Sequence, residues 1–304
     1  MADETLHHYT TAGGLVGIVA AVRLGDIWEQ SSEARELPRD RSFSLWATDA
    51  RYLNDWGELD FAADALADAI ERHSRAFDGD RLSYFDQLVL NLRNRDYTAV
   101  DWPAGSTHTA YVACFCENGD LLSQWQGYAA NGGGYSIEFY VDALKEMWAP
   151  SFSSGREEFA YTQGALLHKV RYRLDESFIE GAAKEILEAD PGLAMFGCVE
   201  TLARFKNAAF EAECEWRAIN VSPTASMYCQ FRTTPAGRLV PYSRFLRLQH
   251  EFPFDPSKAR SAIKSVTIGP GLDQKLRSEA VRQMLNQRGF TDVKIMVSGI
   301  TYNP

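Results

Sequence analysis

Cysteine, membrane-length apolar runs and export signals are scarce or missing in this sequence. Five cysteines in 304 residues are an odd number in a chain too large to depend on disulfide bonds, which favours a reducing compartment. The first ten residues carry acids but no basic n-region, so we expect no signal peptide. The longest apolar segment near them, residues 15–22, is far shorter than a membrane span. We therefore expect a cytoplasmic protein that does not enter a membrane.

Several common catalytic and binding motifs are also missing. The chain has no Gly-x-Ser-x-Gly elbow and no His-Glu-x-x-His helix, which argues against those classes of hydrolase. Cys114 and Cys116 have no second pair at zinc-finger spacing, so we expect no metal site there. Residues 268–271, Ile-Gly-Pro-Gly, match neither the P-loop nor the dinucleotide fingerprint. Proline also removes a backbone donor from this segment, which favours an ordinary tight turn.

The composition and charge are those of an acidic globular protein. Hydrophobic residues make up 45% and charged residues 24% of the chain, which is enough apolar material for a substantial core. The net charge is 31 − 41 = −10, so non-specific binding of nucleic acid is not expected. No linker divides the sequence. We predict one α+β domain over residues 1–304, with a mixed, mostly antiparallel sheet and helices on its outside.

Hydrophobic periodicity predicts the individual elements. Apolar runs with β-forming residues predict strands at residues 6–9, 43–49, 108–120, 135–141, 166–172, 265–271 and 292–298, and a hairpin within residues 227–242. Apolar residues spaced three and four apart predict helices at residues 15–22, 59–73, 84–92, 143–148, 176–189, 193–212 and 272–290. Residues 121–134 are predicted to be irregular. The last three elements predict a β-α-β unit.

The most unusual stretch is residues 205–221, which has the pattern of a helix end followed by a strand. Glu211, Glu213 and Glu215 are two residues apart, and residues at this spacing share one face of a strand. Carboxylates on one face repel one another unless a cation, a donor or an electron-poor ligand lies opposite. The stretch is therefore either an acidic strand lining a cleft or a solvated edge that prevents aggregation. We expect Glu211 to belong to the helix end and Glu215 to matter most.

Several short motifs, taken together and in this order, resemble the bacterial domain-of-unknown-function 2971 family. The resemblance spans most of the chain, from about residue 6 to residue 302. The segments that carry it are His8-Tyr9-Thr10 followed by the predicted helix at residues 15–22, Trp46-Ala47-Thr48-Asp49, Tyr52-Leu53-Asn54-Asp55 with Glu58, Cys114-Phe115-Cys116-Glu117, Asp120-Leu121-Leu122-Ser123-Gln124-Trp125, Gly134-Tyr135-Ser136-Ile137, Phe205-Lys206, Phe210, Glu213 and Glu215-Trp216-Arg217.

A more distant resemblance, to ADP-ribosyltransferases, implies a fold and a chemistry. In those enzymes an early strand carries His with Thr or Ser, a second strand carries an aromatic residue, and a late strand supplies a catalytic Glu. His8-Tyr9-Thr10, residues 45–52 and Glu213-Cys214-Glu215 are similar to these three elements. The sequence differs in having Tyr9 where polymerase-type members have Gly, and Trp46 where they have Tyr.

The ADP-ribosyltransferase resemblance implies that NAD is a substrate and that no metal is needed. Cleavage of the nicotinamide bond develops positive charge on the ribose, which Glu215 would stabilise, while Glu213 would position or deprotonate an acceptor. The residues that the resemblance assigns to NAD binding are His8 and Thr10 for the adenosine-side ribose, Trp46 or Tyr52 for stacking on nicotinamide, and Arg51 or Arg217 for the pyrophosphate.

The leading hypothesis is therefore an NAD-using, ADP-ribosyltransferase-like enzyme, a bacterial effector or a phage-defence component. One alternative is a non-catalytic ligand-binding or sensor domain on the same scaffold. Another is a metal-dependent hydrolase or nuclease that uses Glu211, Glu213 and Glu215. A small-molecule nucleotide is the expected partner, and the sequence defines neither the acceptor nor the oligomeric state. The transferase hypothesis requires His8, an aromatic residue of the second strand and Glu215 to converge on one cleft.

Overall fold

The computed structural model describes residues 4–20, 43–53, 57–97, 99–100, 107–129, 133–151, 160–163, 165–190, 193–223, 229–234, 237–247 and 261–302. Within these ranges helices flank one connected, mostly antiparallel sheet, which confirms the predicted α+β class. In the described part of the chain, no helix has both the length and the apolar character needed to cross a membrane.

Thirteen strands form the described sheet. They are β1 (Thr5–Thr10), β2 (Phe43–Asp49), β3 (Ala99–Val100), β4 (Thr107–Cys116), β5 (Tyr135–Tyr140), β6 (Trp148–Ser151), β7 (Ala160–Gln163), β8 (Leu166–Lys169), β9 (Glu215–Pro223), β10 (Gln230–Thr233), β11 (Leu239–Arg247), β12 (Ile263–Ile268) and β13 (Lys294–Val297). Their main order is β13-β12-β5-β1-β4-β2-β11-β6-β7, and β9 pairs with β4 and β8.

The described helices are mostly short and lie between these strands. They are α1 (Ala12–Ile18), α2 (Ala63–Ser74), α3 (Gly79–Arg93), α4 (Leu122–Tyr128), α5 (Val141–Lys145), α6 (Glu176–Glu188), α7 (Ala194–Leu202) and α8 (Gln274–Gln287). Thr11 caps α1, and its hydroxyl accepts a hydrogen bond from the Gly14 amide. Strands β12 and β13 are parallel and joined through α8, as the predicted β-α-β unit requires.

Strand β4 is the place where the sheet divides. One edge of β4 pairs with β9 along nine consecutive residues, from His108 to Cys116. The opposite edge is shared: β2 pairs with Tyr111 and Val112, whereas β1 pairs only with Cys116. Between these two contacts, residues 113–115 have no described strand partner on this edge of β4, although β9 pairs with them on the other edge. The sheet therefore opens into a gap between β1 and β2, with β4 as its floor.

The two faces of β4 belong to two different cores. Tyr111, Ala113 and Phe115 point into a core that also contains Phe43 and Phe139. The alternate residues point to the other face, where helices α2, α3, α6 and α7 cover the sheet and bury Val112, Phe205 and Ile219. Alternation along one strand thus places an aromatic core on one side and a helical layer on the other.

The predictions for two segments are wrong, and tertiary contacts explain the difference in both. The helix predicted at residues 193–212 ends at Leu202, because the chain then bonds to Arg171: Arg171 N donates to Arg204 O and Lys206 N to Arg171 O. Residues 121–134, predicted to be irregular, contain α4. Trp125 in α4 is fully buried and makes an edge contact with Tyr9, at 4.8 Å between ring centres.

Several predicted features lie partly or wholly outside the described residues. These are residues 21 and 22 of the first predicted helix, residues 227, 228, 235 and 236 of the predicted hairpin, and residues 130–132 of the segment predicted to be irregular. The two strands of that hairpin, β10 and β11, lie within the described ranges and pair in antiparallel register.

Candidate functional site

The acidic stretch does not form one continuous strand. Asn207 caps a 3₁₀ helix, Ala208–Glu213, which holds Glu211 and Glu213. Cys214 then adopts a left-handed conformation with φ of 45°, and β9 begins only at Glu215. The expected face of three stacked acids is therefore wrong, because the backbone turns at Cys214. Glu211 lies at the helix end, as expected, near Arg173 at the surface.

A buried group of five charges, which we call the ionic cluster, lies at the start of β9. Its members are Glu58, Lys206, Glu213, Glu215 and Arg217. Arg217 is only 1% exposed, and all of its N–H groups have acceptors. Its Nε donates to Glu215 Oε1 at 2.8 Å, and its Nη2 donates to Glu58 Oε1.

The rest of the Arg217 guanidinium bonds to the backbone. Nη1 donates to the carbonyl oxygens of Ala203 and Phe205, at 2.8 and 3.4 Å. These carbonyls follow the end of α7, so Arg217 fastens that helix to β9. A guanidinium with all its donors engaged has none left for a pyrophosphate, and we therefore give Arg217 no contact with a ligand.

Lys206 joins the two acids that the left-handed turn brings together. Its Nζ lies 2.7 Å from Glu213 Oε2 and 2.8 Å from Glu215 Oε2, and 3.6 Å from Glu58 Oε1. The ammonium group thus occupies the position between the two carboxylates that a divalent cation would take. Within the described ranges, no group of three or more His, Cys, Asp or Glu side chains is placed to hold a metal ion.

The acids of the ionic cluster differ in how well they are compensated. Burial by itself raises the pKa of Glu215, but Arg217 and Lys206 outweigh this effect and lower it to about 2. For Glu58, burial dominates over the attraction of Arg217 and raises the pKa. Three acids face two bases, so the cluster carries one excess negative charge when all five groups are ionised.

A small cavity of about 50 Å³ adjoins the ionic cluster at the edge of the gap between β1 and β2. Glu213 and Glu215 form its acidic wall, and Glu213 is the more accessible of the two, with 17% of its side chain exposed. The residues that line the cavity are His7, His8, Tyr9, Cys114, Phe115, Cys116, Gln124, Tyr128, Glu213 and Glu215.

His8 and Glu215 line this cavity together although alternation along the paired strands would place them on opposite faces of the sheet. Glu215 pairs with Cys116, which pairs with His7, so His7 and not His8 is expected on the face of Glu215. Because β1 leaves β4 after that single pair, the His8 ring can bond across the gap. Its Nδ1 lies 2.8 Å from the carbonyl oxygen of Cys114, a backbone group with no strand partner on this edge.

This hydrogen bond defines the protonation of His8. A carbonyl oxygen only accepts, so Nδ1 carries the proton and Nε2 of the neutral ring is an acceptor. Burial lowers the pKa of His8, more than its bond to Cys114 raises it, and the positive charge of Arg232 adds to the lowering. His8 is therefore neutral near pH 7 and can accept a hydrogen bond from a hydroxyl group.

The other residues predicted to bind NAD lie away from the cavity. Trp46 packs against Tyr242, with ring centres 5.3 Å apart, and against Gly17, where a side chain would fall 2.3 Å from the indole. Arg51 forms a two-point pair with Asp49. The aromatic residues of the second strand therefore do not meet His8 and Glu215 at this cavity.

Thr10 and Tyr52 are also placed by contacts other than the cavity. Thr10 ends β1 beneath α1, where its hydroxyl lies against Gly14, and it is buried. The guanidinium of Arg238 lies over the Tyr52 ring, 5.5 Å from its centre. Neither residue lines the cavity, so the structure supports a ligand contact for neither.

Several residues of this site were not predicted from the sequence. Glu58, Lys206, Gln124 and Tyr128 were not predicted to take part, and neither was Tyr172, whose hydroxyl accepts a hydrogen bond from the Glu215 amide at 2.7 Å. Lys206, Gln124 and Glu58 lie in or next to the motifs that carry the family resemblance. Nothing in their local spacing indicates that they converge, because the contacts join distant parts of the chain.

Residues 124–218 match the family model described as "Protein of unknown function (DUF2971)". No curated protein and no solved structure matches the chain. The predicted family resemblance is confirmed over residues 124–218, while its extension toward residues 6 and 302 stays a prediction. The segment of this chain that supplies the α4 and β9 walls of the cavity thus matches the DUF2971 family of proteins of unknown function.

Proposed function

We propose that the cavity beside the ionic cluster binds the reacting end of NAD and that the protein transfers ADP-ribose from it. The observation that carries this proposal is that His8 of β1, Glu213 at the end of the 3₁₀ helix and Glu215 at the start of β9 line one cavity. These are two of the three elements in the ADP-ribosyltransferase pattern. The third, the aromatic residue of β2, lies elsewhere, so the proposal gives Trp46 and Tyr52 no role at the reacting atoms.

The electrostatics of the cavity suit a ligand that becomes positively charged. In the proposed reaction the bond between nicotinamide N1 and ribose C1′ breaks, and the electron pair leaves with nicotinamide. The ribose then carries positive charge, which the excess negative charge of the ionic cluster stabilises. A lone pair of the acceptor forms the new bond to C1′, and the proton of the acceptor passes to Glu213.

Glu213 and Glu215 have different roles in this proposal. Glu215 is 4% exposed and holds a fixed geometry through Arg217 and Lys206, so it acts as a preorganised negative charge. Glu213 is partly exposed and bonds to Lys206 only through Oε2, which leaves Oε1 as an acceptor. Neutral His8 accepts a hydrogen bond from a ribose hydroxyl through Nε2.

The cavity must enlarge before it can admit part of NAD. A volume of about 50 Å³ holds only a few water molecules, whereas sites for cofactor-sized ligands are typically about 300–1,000 Å³. Entry of a nicotinamide riboside group therefore requires the wall formed by Gln124 and Tyr128 of α4 to move outward. NAD binding should accordingly be slow and should change the fluorescence of the neighbouring Trp125.

The test is incubation of the protein with NAD, with release of nicotinamide followed by chromatography and modified products by mass spectrometry. We expect turnover in the wild type, a loss of about 100-fold or more in Glu213→Gln, and no change in Glu211→Gln, a matched control from the same 3₁₀ helix. Product analysis also shows whether the acceptor is a protein or a nucleic acid, as for an effector or phage-defence component. No NAD turnover and no NAD binding by the wild type would reject the proposal.

A second candidate, a non-catalytic ligand-binding domain, is favoured by one specific observation. Lys206 and Arg217 already compensate Glu215, so its carboxylate also serves as a structural anchor. This candidate predicts NAD binding without release of nicotinamide, and binding that changes little in Glu213→Gln. Measurement of binding by calorimetry and of turnover by chromatography on the same samples separates the two candidates.

A further inference from the structure

Arg232 is a cation outside the ionic cluster whose side chain lies close to the gap between β1 and β2. It lies on β10 and pairs in register with Val240 of β11. Its side chain reaches across β11 to β2, where Nη2 donates to Thr48 Oγ1 at 2.7 Å. Thr48 pairs with Val112, the last residue of β4 that β2 contacts before the two strands part. Arg232 therefore lies beside the opening of the gap.

The charge of Arg232 has no counter-charge among the described residues. No described carboxylate forms an ion pair or a hydrogen bond with it, and its Nε is buried without a hydrogen-bond partner. Burial lowers the pKa of Arg232, whereas every other described arginine with a resolved shift has its pKa raised by a carboxylate. A partly buried cation without a partner is costly to the fold, which indicates a purpose other than stability.

The contrast with other arginines shows what Arg232 lacks. Arg51, Arg217 and Arg247 each use the edge formed by Nε and Nη2 to hold a carboxylate. In Arg232 the same edge has only the Thr48 hydroxyl. That hydroxyl accepts a hydrogen bond from Nη2 and keeps its own O–H to donate, so guanidinium and hydroxyl together present donors to an anion.

Arg232 is electrostatically connected to the candidate site. Its positive charge contributes to the lowered pKa of His8. His8 lines the cavity. A ligand that runs from the acidic wall at Glu213 past His8 thus meets negative charge at one end and an uncompensated guanidinium at the other.

We propose that Arg232 and Thr48 form an anion site that binds a phosphate group of the ligand whose electron-poor end faces Glu213. The choice of a phosphorylated ligand rests on the proposed function, because the reacting end of NAD is linked through ribose to a pyrophosphate. The binding of an anion at Arg232 rests on the geometry of the guanidinium alone. A planar guanidinium fork matches the oxygens of a phosphate group.

The test uses inorganic pyrophosphate as the probe and isothermal titration calorimetry at low ionic strength as the readout. We expect the wild type to bind pyrophosphate, Arg232→Gln to bind it about tenfold or more weakly, and the affinity of the wild type to fall as salt is added. Arg238→Gln is the matched control, because it removes the same charge from an exposed residue of the same hairpin. Arg232→Lys should retain part of the affinity.

Two results would overturn the anion site: no pyrophosphate binding by the wild type, and equal affinity of the wild type and Arg232→Gln. Tighter binding of succinate, a dicarboxylate, than of pyrophosphate would overturn the assignment of the site to a phosphate group. Urea unfolding of Arg232→Gln verifies that a weaker affinity does not arise from a loss of structure.

Failure of this inference is distinguishable from failure of the proposed function. Pyrophosphate binding that depends on Arg232, without any NAD turnover, supports the anion site and rejects the transferase. NAD turnover with an unchanged KM in Arg232→Gln supports the transferase and rejects the anion site.

Discussion

Arg217 and Arg232 are both removed from solvent to a large extent, yet their surroundings are opposite. Arg217 has two carboxylates and two backbone carbonyls around it, and every donor is engaged. Arg232 has one hydroxyl, and no described carboxylate pairs with it. The first arrangement joins parts of the fold. The second leaves binding capacity unused within the protein, which is the property expected of a ligand-binding group.

This difference assigns stability to one arginine, on β9, and binding to another, on β10. Arg217 connects Glu58, 159 residues before it in sequence, with β9 and with the end of α7. The loss of Arg217 should therefore lower the free energy of unfolding. Arg232 connects only β10 with β2, through one hydrogen bond, so its loss should mainly weaken the binding of a ligand.

The largest expected effect is on the stability of an Arg217 variant. Arg217→Leu leaves Glu58 and Glu215 buried with one cation, Lys206, and should lower the free energy of unfolding by about 3–5 kcal/mol. Arg232→Leu removes an unpaired charge and should change it by less than about 1 kcal/mol. Urea unfolding followed by circular dichroism measures both. Similar losses in the two variants would contradict the comparison.

Acid should weaken the ionic cluster in a defined range of pH. The pKa of Glu215 is lowered in the fold from about 4.5 to about 2, so the unfolded chain binds its proton first as the pH falls. The stabilisation from Glu215 is complete above pH 4.5 and is lost as the pH falls toward 2. The raised pKa of Glu58 acts in the opposite direction and makes the loss smaller.

The measurement for the acid effect is the free energy of unfolding in urea at several values of pH between 6 and 3. The wild type should lose stability below pH 4.5 more steeply than Glu215→Gln, which lacks this titrating group. Parallel curves for the two proteins would show that Glu215 does not carry the effect.

The smallest expected effect concerns the turn at Cys214. A left-handed conformation costs a residue with a side chain about 1 kcal/mol, and glycine adopts it freely. Cys214→Gly should therefore raise the melting temperature slightly, because the free energy of unfolding should increase by less than about 1 kcal/mol. A fall in melting temperature would show that the thiol contributes packing that outweighs the relief of strain.

Parts of the fold with a strong local pattern could be predicted from sequence. The strand Phe43–Asp49 has the predicted bounds, because its β-forming residues continue without a breaker. The predicted β-α-β unit is also present, since α8 has a regular apolar stripe and ends near Gly289. The prediction failed for elements that depend on one distant contact. Helix α4 exists because Trp125 fills a space beside Tyr9, which no local spacing indicates.

The candidate site was predictable only in part. The order of His8, Glu213 and Glu215 in the sequence led to the residues that line the cavity. The spacing of Glu211, Glu213 and Glu215 suggested a strand, but a single left-handed residue at Cys214 changed the direction of the backbone. The cations that hold these acids could not be inferred. Lys206 and Arg217 meet them through folding, and Glu58 comes from a separate segment that carries no charge pattern of its own.

The parting of β1 and β2 around β4 also determines when the site can form. Cys116 of β4 pairs with His7 from the beginning of the chain and with Glu215 from its last third. Pairings between such distant segments require the closure of long loops and form late in folding. During synthesis on the ribosome, Glu58 leaves the exit tunnel long before Arg217 and has no arginine to pair with until β9 is made. A nascent or truncated chain that stops before the 3₁₀ helix and β9 therefore has the floor of the gap but lacks Glu213 and Glu215, the acidic wall that the proposed transfer requires.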